Sequence, residues 1–148
     1  GMSAKEVVGT FYSAIIDMNT EIMEDCVKKG IAKNDINEVT QLFVISRVRS
    51  GYEGTSGLVT AQDWNDGIIK TLNSGEQIFG IADLVITKLI NNTYTADYIK
   101  WYPNIPDNPE SNEILPPLKV LVQDTITLEK VKDVWIIVNL ERNTKELK

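Results

Sequence analysis

The chain contains no histidine and a single cysteine, Cys26. The missing histidine excludes Ser-His-Asp and Cys-His catalysis, histidine-ligated zinc and a histidine general base within these residues. A lone cysteine excludes an internal disulfide and a cysteine-cluster metal site, and its apolar helical position predicts a buried, unreactive thiol. Acid–base chemistry would therefore need carboxylates, tyrosine or lysine, and the sequence predicts neither a metal nor another cofactor.

Basic charge and long apolar runs are also scarce. The net charge of −6 argues against a general nucleic-acid binder, which needs a basic face for phosphates. The longest apolar stretches, such as residues 42–45, are too short to cross a bilayer. Gly1 and Met2 are interpreted as a tag scar and a start methionine, and no basic segment followed by an apolar run comes after them. We therefore expect a cytoplasmic protein without nucleic-acid or membrane partners.

The first half of the chain has helical periodicity. Ser3 and Glu6 form a capping-box pattern, and they precede an apolar stripe in steps of three and four that comprises Val7, Phe11, Ala14, Ile15, Met18, Ile22 and Cys26. A cap at Thr20 predicts a second helix. Another helix is predicted from Asn34 or Asp35 onward, although residues 42–45 would also fit a buried strand. A glycine-rich loop is expected at residues 50–57, followed by a short helix that carries Trp64.

After Gly75 the period of the sequence changes to two. Residues 81–90 and 93–102 predict one hairpin with a two-residue turn at Asn91 and Asn92, which places Asp83 opposite Lys100. Residues 118–129 and 134–141 predict a second hairpin that turns near Lys132 and Asp133. All five prolines lie in the polar segment 103–117 between these hairpins, and segments of this kind are often functional.

The predicted fold class is α+β, with N-terminal helices packed on a curved, cone-like antiparallel sheet. The absence of an internal repeat or a linker favours one domain over residues 3–144. Because an open antiparallel sheet has a second face to cover, we also expect a homodimer.

This order of elements resembles the nuclear transport factor 2-like superfamily over most of the chain. The resemblance is sharpest at residues 124–137, DTITLEKVKDVWII, which look like that superfamily's closing pair of strands with a tryptophan after the turn. It implies a conical cavity between sheet and helices. Members of the superfamily include isomerases, dehydratases and cyclases that use Asp, Tyr or His, and many that only bind partners. Without histidine an Asp–His pair cannot be carried over, and no residue is assigned as catalytic.

Two carboxylates are candidates for the cavity. Asp124 is in phase with the apolar side of its predicted strand, and buried acids often mark functional sites. The predicted register sets Glu141 opposite it, although both acids would also fit the end of the sheet beside solvent or a lysine. Asp97 shares a face with Ile99 and Trp101, and the alternative for it is a structural ion pair with Arg47 or Arg49.

Aromatic residues complete the candidate ligand-binding set of Asp97, Asp124, Trp64, Tyr98 and Trp101. Tyr98 lies on the opposite strand face from Asp97 and would present its hydroxyl to a ligand. The alternative for Tyr98 is that its ring packs on the sheet while its hydroxyl faces water, as is usual for tyrosines on strands. The alternative for the tryptophans is a structural role in the core, which is more frequent than ligand contact.

The favoured function is a non-catalytic domain that binds a small apolar ligand or a protein partner. The alternative is a cofactor-free isomerase or lyase with an Asp base and a Tyr in the cavity, which requires an enclosed pocket containing that carboxylate. A third hypothesis is an adaptor that contacts its partner through the proline-bearing segment.

Overall fold

The computed structural model describes residues 1–54, 57–73 and 75–147. It is a mixed α+β fold in which helices pack on an open antiparallel sheet. In chain order the elements are α1 (Ala4–Ile16), α2 (Thr20–Cys26), α3 (Lys33–Glu53), β1 (Leu58–Thr60), α4 (Ala61–Asn65), β2 (Gln77–Phe79), β3 (Ala82–Lys88), β4 (Thr93–Tyr102), β5 (Leu118–Val131) and β6 (Val134–Leu147). The α+β class is confirmed, and the layout is consistent with a cone.

The helical layer begins and breaks close to where the sequence predicts. Ser3 and Glu6 form the capping box that starts α1, and the left-handed backbone of Met18 separates α1 from α2. The cap of α2 is Asn19 rather than Thr20, because the Asn19 side chain accepts from the Ile22 amide at 3.1 Å. Because the break at Met18 interrupts the helical periodicity of α1, a different face of α2 is turned to the core. Met23 is buried there, and the predicted Ile22 is not. The Cys26 thiol is buried as predicted, and burial raises its pKa.

The ambiguous residues 42–45 are helical, within the 21-residue α3. This helix continues into the predicted loop and ends at Gly54, whose left-handed conformation favours glycine. Thr55 and Ser56 of that loop lie outside the described residues. β1 and β2 form a small parallel pair that the sequence does not predict.

The main sheet has the strand order β3-β4-β5-β6 and is antiparallel throughout. Its inner face packs on α1, and the shared core includes Val8 and Phe11 with Ile126, Leu128 and Ile137. Lys132 and Asp133 both have positive φ, so the last hairpin turns where predicted. The switch to strands after residue 75 is therefore confirmed.

The register of the first hairpin was predicted one residue out. The Leu89 amide donates to the Thr93 carbonyl at 2.9 Å, which leaves three residues in the turn and sets Ile86 opposite Ala96. Asp83 lies at a register shift with φ of 54°, and it does not face Lys100. Lys100 instead pairs with Glu38 of α3 at 3.1 Å.

Candidate functional site

A carboxylate with no solvent exposure lies at the centre of the fold. Asp124 on β5 accepts hydrogen bonds at Oδ2 from the hydroxyls of Tyr12, at 2.5 Å, and Tyr98, at 2.7 Å. The Arg142 guanidinium donates to the same carboxylate twice, from Nε to Oδ1 at 2.7 Å and from Nη2 to Oδ2 at 3.0 Å. These four donors satisfy a charge that would otherwise be very costly to bury.

The alternation of β5 accounts for the position of Asp124. Its neighbours two residues away on the strand, Val122 and Ile126, are both buried, so the carboxylate must also point into the core. Tyr12 reaches it from α1, one helical turn after Val8 on the same buried face. Tyr98 lies on β4 beside Val122 of β5.

A β-bulge, rather than a regular ladder, brings Arg142 to Asp124. Thr127 pairs with Asn139 but Leu128 pairs with Ile137, so Val138 is an extra residue in β6. Beyond it every pairing moves by one position. The predicted partner Glu141 is therefore wrong: Asp124 faces Arg142, and Glu141 lies opposite Thr125. The extra residue therefore places the cation Arg142, and not the second acid Glu141, opposite the buried Asp124.

Arg142 connects the sheet with α3. Its Nη1 donates to Asp35 Oδ1 at 2.8 Å, and its side chain is 29% exposed, so it forms the outer end of the network. Burial acts to lower the pKa of Arg142, but its hydrogen bonds to Asp124 and Asp35 raise it overall, and the guanidinium stays charged. One cation thus joins two carboxylates from different layers of the fold.

The two tyrosines are held in their neutral form. Burial, followed by the charge of Asp124, raises the pKa of Tyr12, and the same causes raise the pKa of Tyr98. Their rings pack 5.5 Å apart. Both hydroxyls therefore act as proton donors to the carboxylate.

The space around this network is almost filled. A cavity of about 20 Å³ borders Tyr98 between α1 and α3, and it has room for about one water molecule. Asp124 lines neither this cavity nor the larger groove described below. The geometry is that of a structural ion pair, in which both oxygens of the carboxylate already accept hydrogen bonds.

Asp97 lies on the other side of the sheet. Its Oδ1 accepts a hydrogen bond from Gln123 Nε2 at 2.9 Å, so its partner is an amide on the next strand and not the proposed arginine. The Arg47 guanidinium lies 5.7 Å from the centre of the Phe43 ring, and Arg49 Nη1 donates to the Gly75 carbonyl. Asp97 and Asp124 are therefore not brought together.

The larger concave feature is a groove of about 900 Å³ outside the filled core. We call it the tryptophan groove, because Trp64 and Trp101 meet there edge to face with ring centres 6.2 Å apart. One wall is α3, and the others come from the 70–78 and 101–117 regions. Its apolar lining comprises Leu42, Ile45, Leu72, Ile78, Ile114, Leu115, Pro103, Pro116 and Pro117, and its polar lining includes Glu38, Gln41, Lys70 and Asn104.

Arg49 of α3 forms a hydrogen bond with the wall of the tryptophan groove that comes from the 70–78 region. Because its guanidinium contacts Gly75 directly, a Cβ at Gly75 would collide with it, and the positive φ of Gly75 adds a second reason for glycine. The Glu76 carboxylate stabilises the same segment, because it accepts a hydrogen bond from the Asn73 backbone amide at 2.6 Å. The indole Nε1 of Trp101 is buried, and no hydrogen-bond partner for it occurs among the described residues.

The five candidate residues thus divide among three places. Trp64 and Trp101 line the tryptophan groove, Tyr98 and Asp124 belong to the buried network, and Asp97 is separate from both. Sequence reasoning missed Tyr12 and Arg142. Tyr12 was detectable, since it follows Val8 at a helical spacing of four, whereas Arg142 was hidden by the bulge.

Comparisons with known proteins leave the chain without an assigned relative. It matches no protein-family model, no curated protein and no solved structure. Across residues 1–54, 57–73 and 75–147, no helix is long and apolar enough to span a membrane. The same residues contain no group of three or more Cys, Asp or Glu side chains that could hold a metal ion.

Replacing Arg142 tests the ion pair. Arg142→Met leaves Asp124 buried without its cation, so we expect the free energy of unfolding to fall by about 3–5 kcal/mol in urea titrations. Arg142→Lys keeps the positive charge but loses the bidentate contact with Asp124. Its free energy of unfolding should therefore lie between those of the unmodified chain and Arg142→Met. The exposed Lys88→Met is the control and should change stability by less than about 0.5 kcal/mol. A loss below about 1 kcal/mol in Arg142→Met would contradict the account.

The tyrosines predict a loss of stability at alkaline pH. Since the pKa of Tyr12 and that of Tyr98 are raised in the folded protein, the unfolded chain alone releases these protons above its tyrosine pKa of about 10. Stability is therefore fully present below that pH and falls as pH rises. Tyr98→Phe should reduce the slope by about 1.4 kcal/mol per pH unit, as measured by urea unfolding between about pH 10 and 11.5. The exposed Tyr52→Phe should leave the slope unchanged, and equal slopes in all three proteins would refute the prediction.

Proposed function

We propose that this is a non-catalytic binding domain of the nuclear transport factor 2-like type, whose tryptophan groove holds a small, mainly apolar ligand. The groove itself is the observation that carries the proposal. Its volume of about 900 Å³ falls within the range of about 300–1,000 Å³ that is usual for small-molecule sites. The cavity that borders Tyr98 in the core has only about 20 Å³.

The lining favours an apolar molecule with a flat part. Aliphatic, proline and aromatic side chains together form most of the lining, and the edge-to-face pair of Trp64 and Trp101 supplies the aromatic surface. The polar lining side chains come from α3, the 70–78 region and the 101–117 region, and they can make orienting contacts with a ligand. An aromatic or polycyclic hydrocarbon body with one polar substituent fits this lining.

The superfamily assignment is part of the proposal and is supported by architecture. Helices pack on an antiparallel sheet, and residues 124–137 form the turn end of its last hairpin, with Trp135 after the turn. We also propose a cytoplasmic location and a homodimer. Because fold alone does not imply function, the proposed ligand site depends on the groove and not on the family.

The contacts of the two acids weigh against the isomerase or lyase alternative. A general base needs a free lone pair within reach of a substrate proton, but both oxygens of Asp124 already accept from Tyr12, Tyr98 and Arg142. Asp97 is bound by Gln123 and does not line the groove. The adaptor alternative has one observation in its favour, because Ile105 and Ile114 in the proline-bearing segment are 78% and 94% exposed.

An uncharged fluorescent probe, N-phenyl-1-naphthylamine, tests the groove. We expect saturable binding to the purified protein with quenching of tryptophan emission. Gln41→Trp adds a bulky ring to the groove wall from an exposed helical position, and it should weaken binding about tenfold or more, because it fills space without removing a core contact. Trp64→Phe keeps an aromatic wall and should weaken binding less than Trp64→Ala.

Asn37→Trp is the matched control, since Asn37 is exposed on the same helix but does not line the groove. It should bind the probe like the unmodified protein. Equal affinities in Gln41→Trp and Asn37→Trp, or no saturable binding at all, would refute the proposed ligand site. Circular dichroism of each variant establishes that the fold is retained.

A further inference from the structure

The outer edge of β6 is open beyond its bulge. β6 is the last strand of the sheet, and the backbone contacts described along its free side, a bridge from Val27 to Ile137 and a hydrogen bond from the Lys28 amide to the Ile137 carbonyl, lie before the bulge. Residues 139–147 continue regularly after Val138, a length of about 30 Å. Most of them are exposed, and within the described part of the chain their outward backbone donors and acceptors have no strand beside them.

The opposite edge of the sheet is protected in a way that β6 is not. β3 has only seven residues, and its ladder is interrupted between Ala82 and Val85. At the interruption, the Asp83 carboxylate accepts from Gln62 and Asn65 at 3.0 and 2.9 Å. Short, bulged and covered edges prevent strand addition. Strand pairing would therefore use β6.

We infer that residues 139–147 of β6 pair antiparallel with the same residues of a second copy of this chain. Asn143 is the middle residue of this stretch, so a two-fold axis through it uses the whole free edge. In that register Glu141 of each copy lies directly opposite Lys145 of the other, which gives two symmetric ion pairs. Arg142 lies opposite Thr144, and no two like charges meet.

Other symmetric registers are less favourable. Because directly opposite residues must share a face of the sheet, the axis has to pass through a residue, and moving it to Arg142 sets two arginines against each other. Moving it to Thr144 sets Glu146 against Arg142, whose guanidinium is already engaged by Asp124 and Asp35. Charge thus selects the register centred on Asn143.

The resulting dimer would join two four-stranded sheets into one continuous sheet of eight strands. Backbone hydrogen bonds supply the affinity, as in other cases of strand addition, and the charged pairs supply specificity for a second copy. The inference is independent of the tryptophan groove, because none of residues 139–147 lines it. It also differs from dimerisation through the sheet face, since it covers only the edge.

Charge exchange at two exposed positions tests the inference. Sedimentation velocity between about 1 μM and 1 mM should give a molar mass rising from the 16.6 kDa of one chain toward twice that value. Glu141→Lys sets a lysine against Lys145 of the other copy, and Lys145→Glu sets two glutamates together. Each should raise the dissociation constant about tenfold or more, and the double variant should restore it to within about threefold.

Glu129→Lys and Lys88→Glu are the charge-matched controls, because both residues are exposed and neither lies on the free edge. They should leave the dissociation constant unchanged. Hydrogen exchange at residues 139–147 should slow as the protein concentration rises. A monomer over the whole range, a dimer indifferent to the single reversals, a double variant that fails to recover, or an edge whose exchange ignores concentration would each overturn the inference.

Discussion

The neutralisation of Asp124 is the interaction on which the rest of the structure depends. A fully buried carboxylate is unfavourable unless its charge is paired and its lone pairs are satisfied, and here both needs are met by side chains from separate elements. Tyr12 comes from α1, Tyr98 from β4 and Arg142 from β6, and Arg142 also binds Asp35 of α3. These contacts fix where each of those elements lies relative to β5.

The same network gives the bulge in β6 its physical reason. Without the extra Val138, Glu141 would point at Asp124, and two carboxylates would share a site with no solvent. With it, Arg142 and Leu140 lie opposite the buried Asp124 and Ile126, while Glu141 lies opposite Thr125. The local irregularity in the ladder costs some backbone pairing, but it avoids a much larger electrostatic penalty. The residues after the bulge then form the regular, open edge.

Local patterns predicted the elements, and non-local contacts decided the site. The Ser3 capping box, the alternation of Val122, Asp124 and Ile126, and the turn at Lys132 were visible because each rests on a few neighbouring residues. The partner of Asp124 could not be predicted in this way. One inserted residue in β6 changes which side chain faces Asp124, and no sequence pattern marks the insertion. The tryptophan groove could not be predicted from the sequence either, because Trp64 and Trp101 come together only through tertiary packing.

A double-mutant cycle between Asp124 and Arg142 tests this account most directly. The free energy of unfolding would be measured for the unmodified chain, Asp124→Asn, Arg142→Met and the double variant. If the ion pair organises the fold, the coupling energy should be about 3 kcal/mol or more, because each single change leaves a buried polar group without its partner. A coupling energy below about 0.5 kcal/mol would mean that the two residues act independently, and it would contradict the central claim.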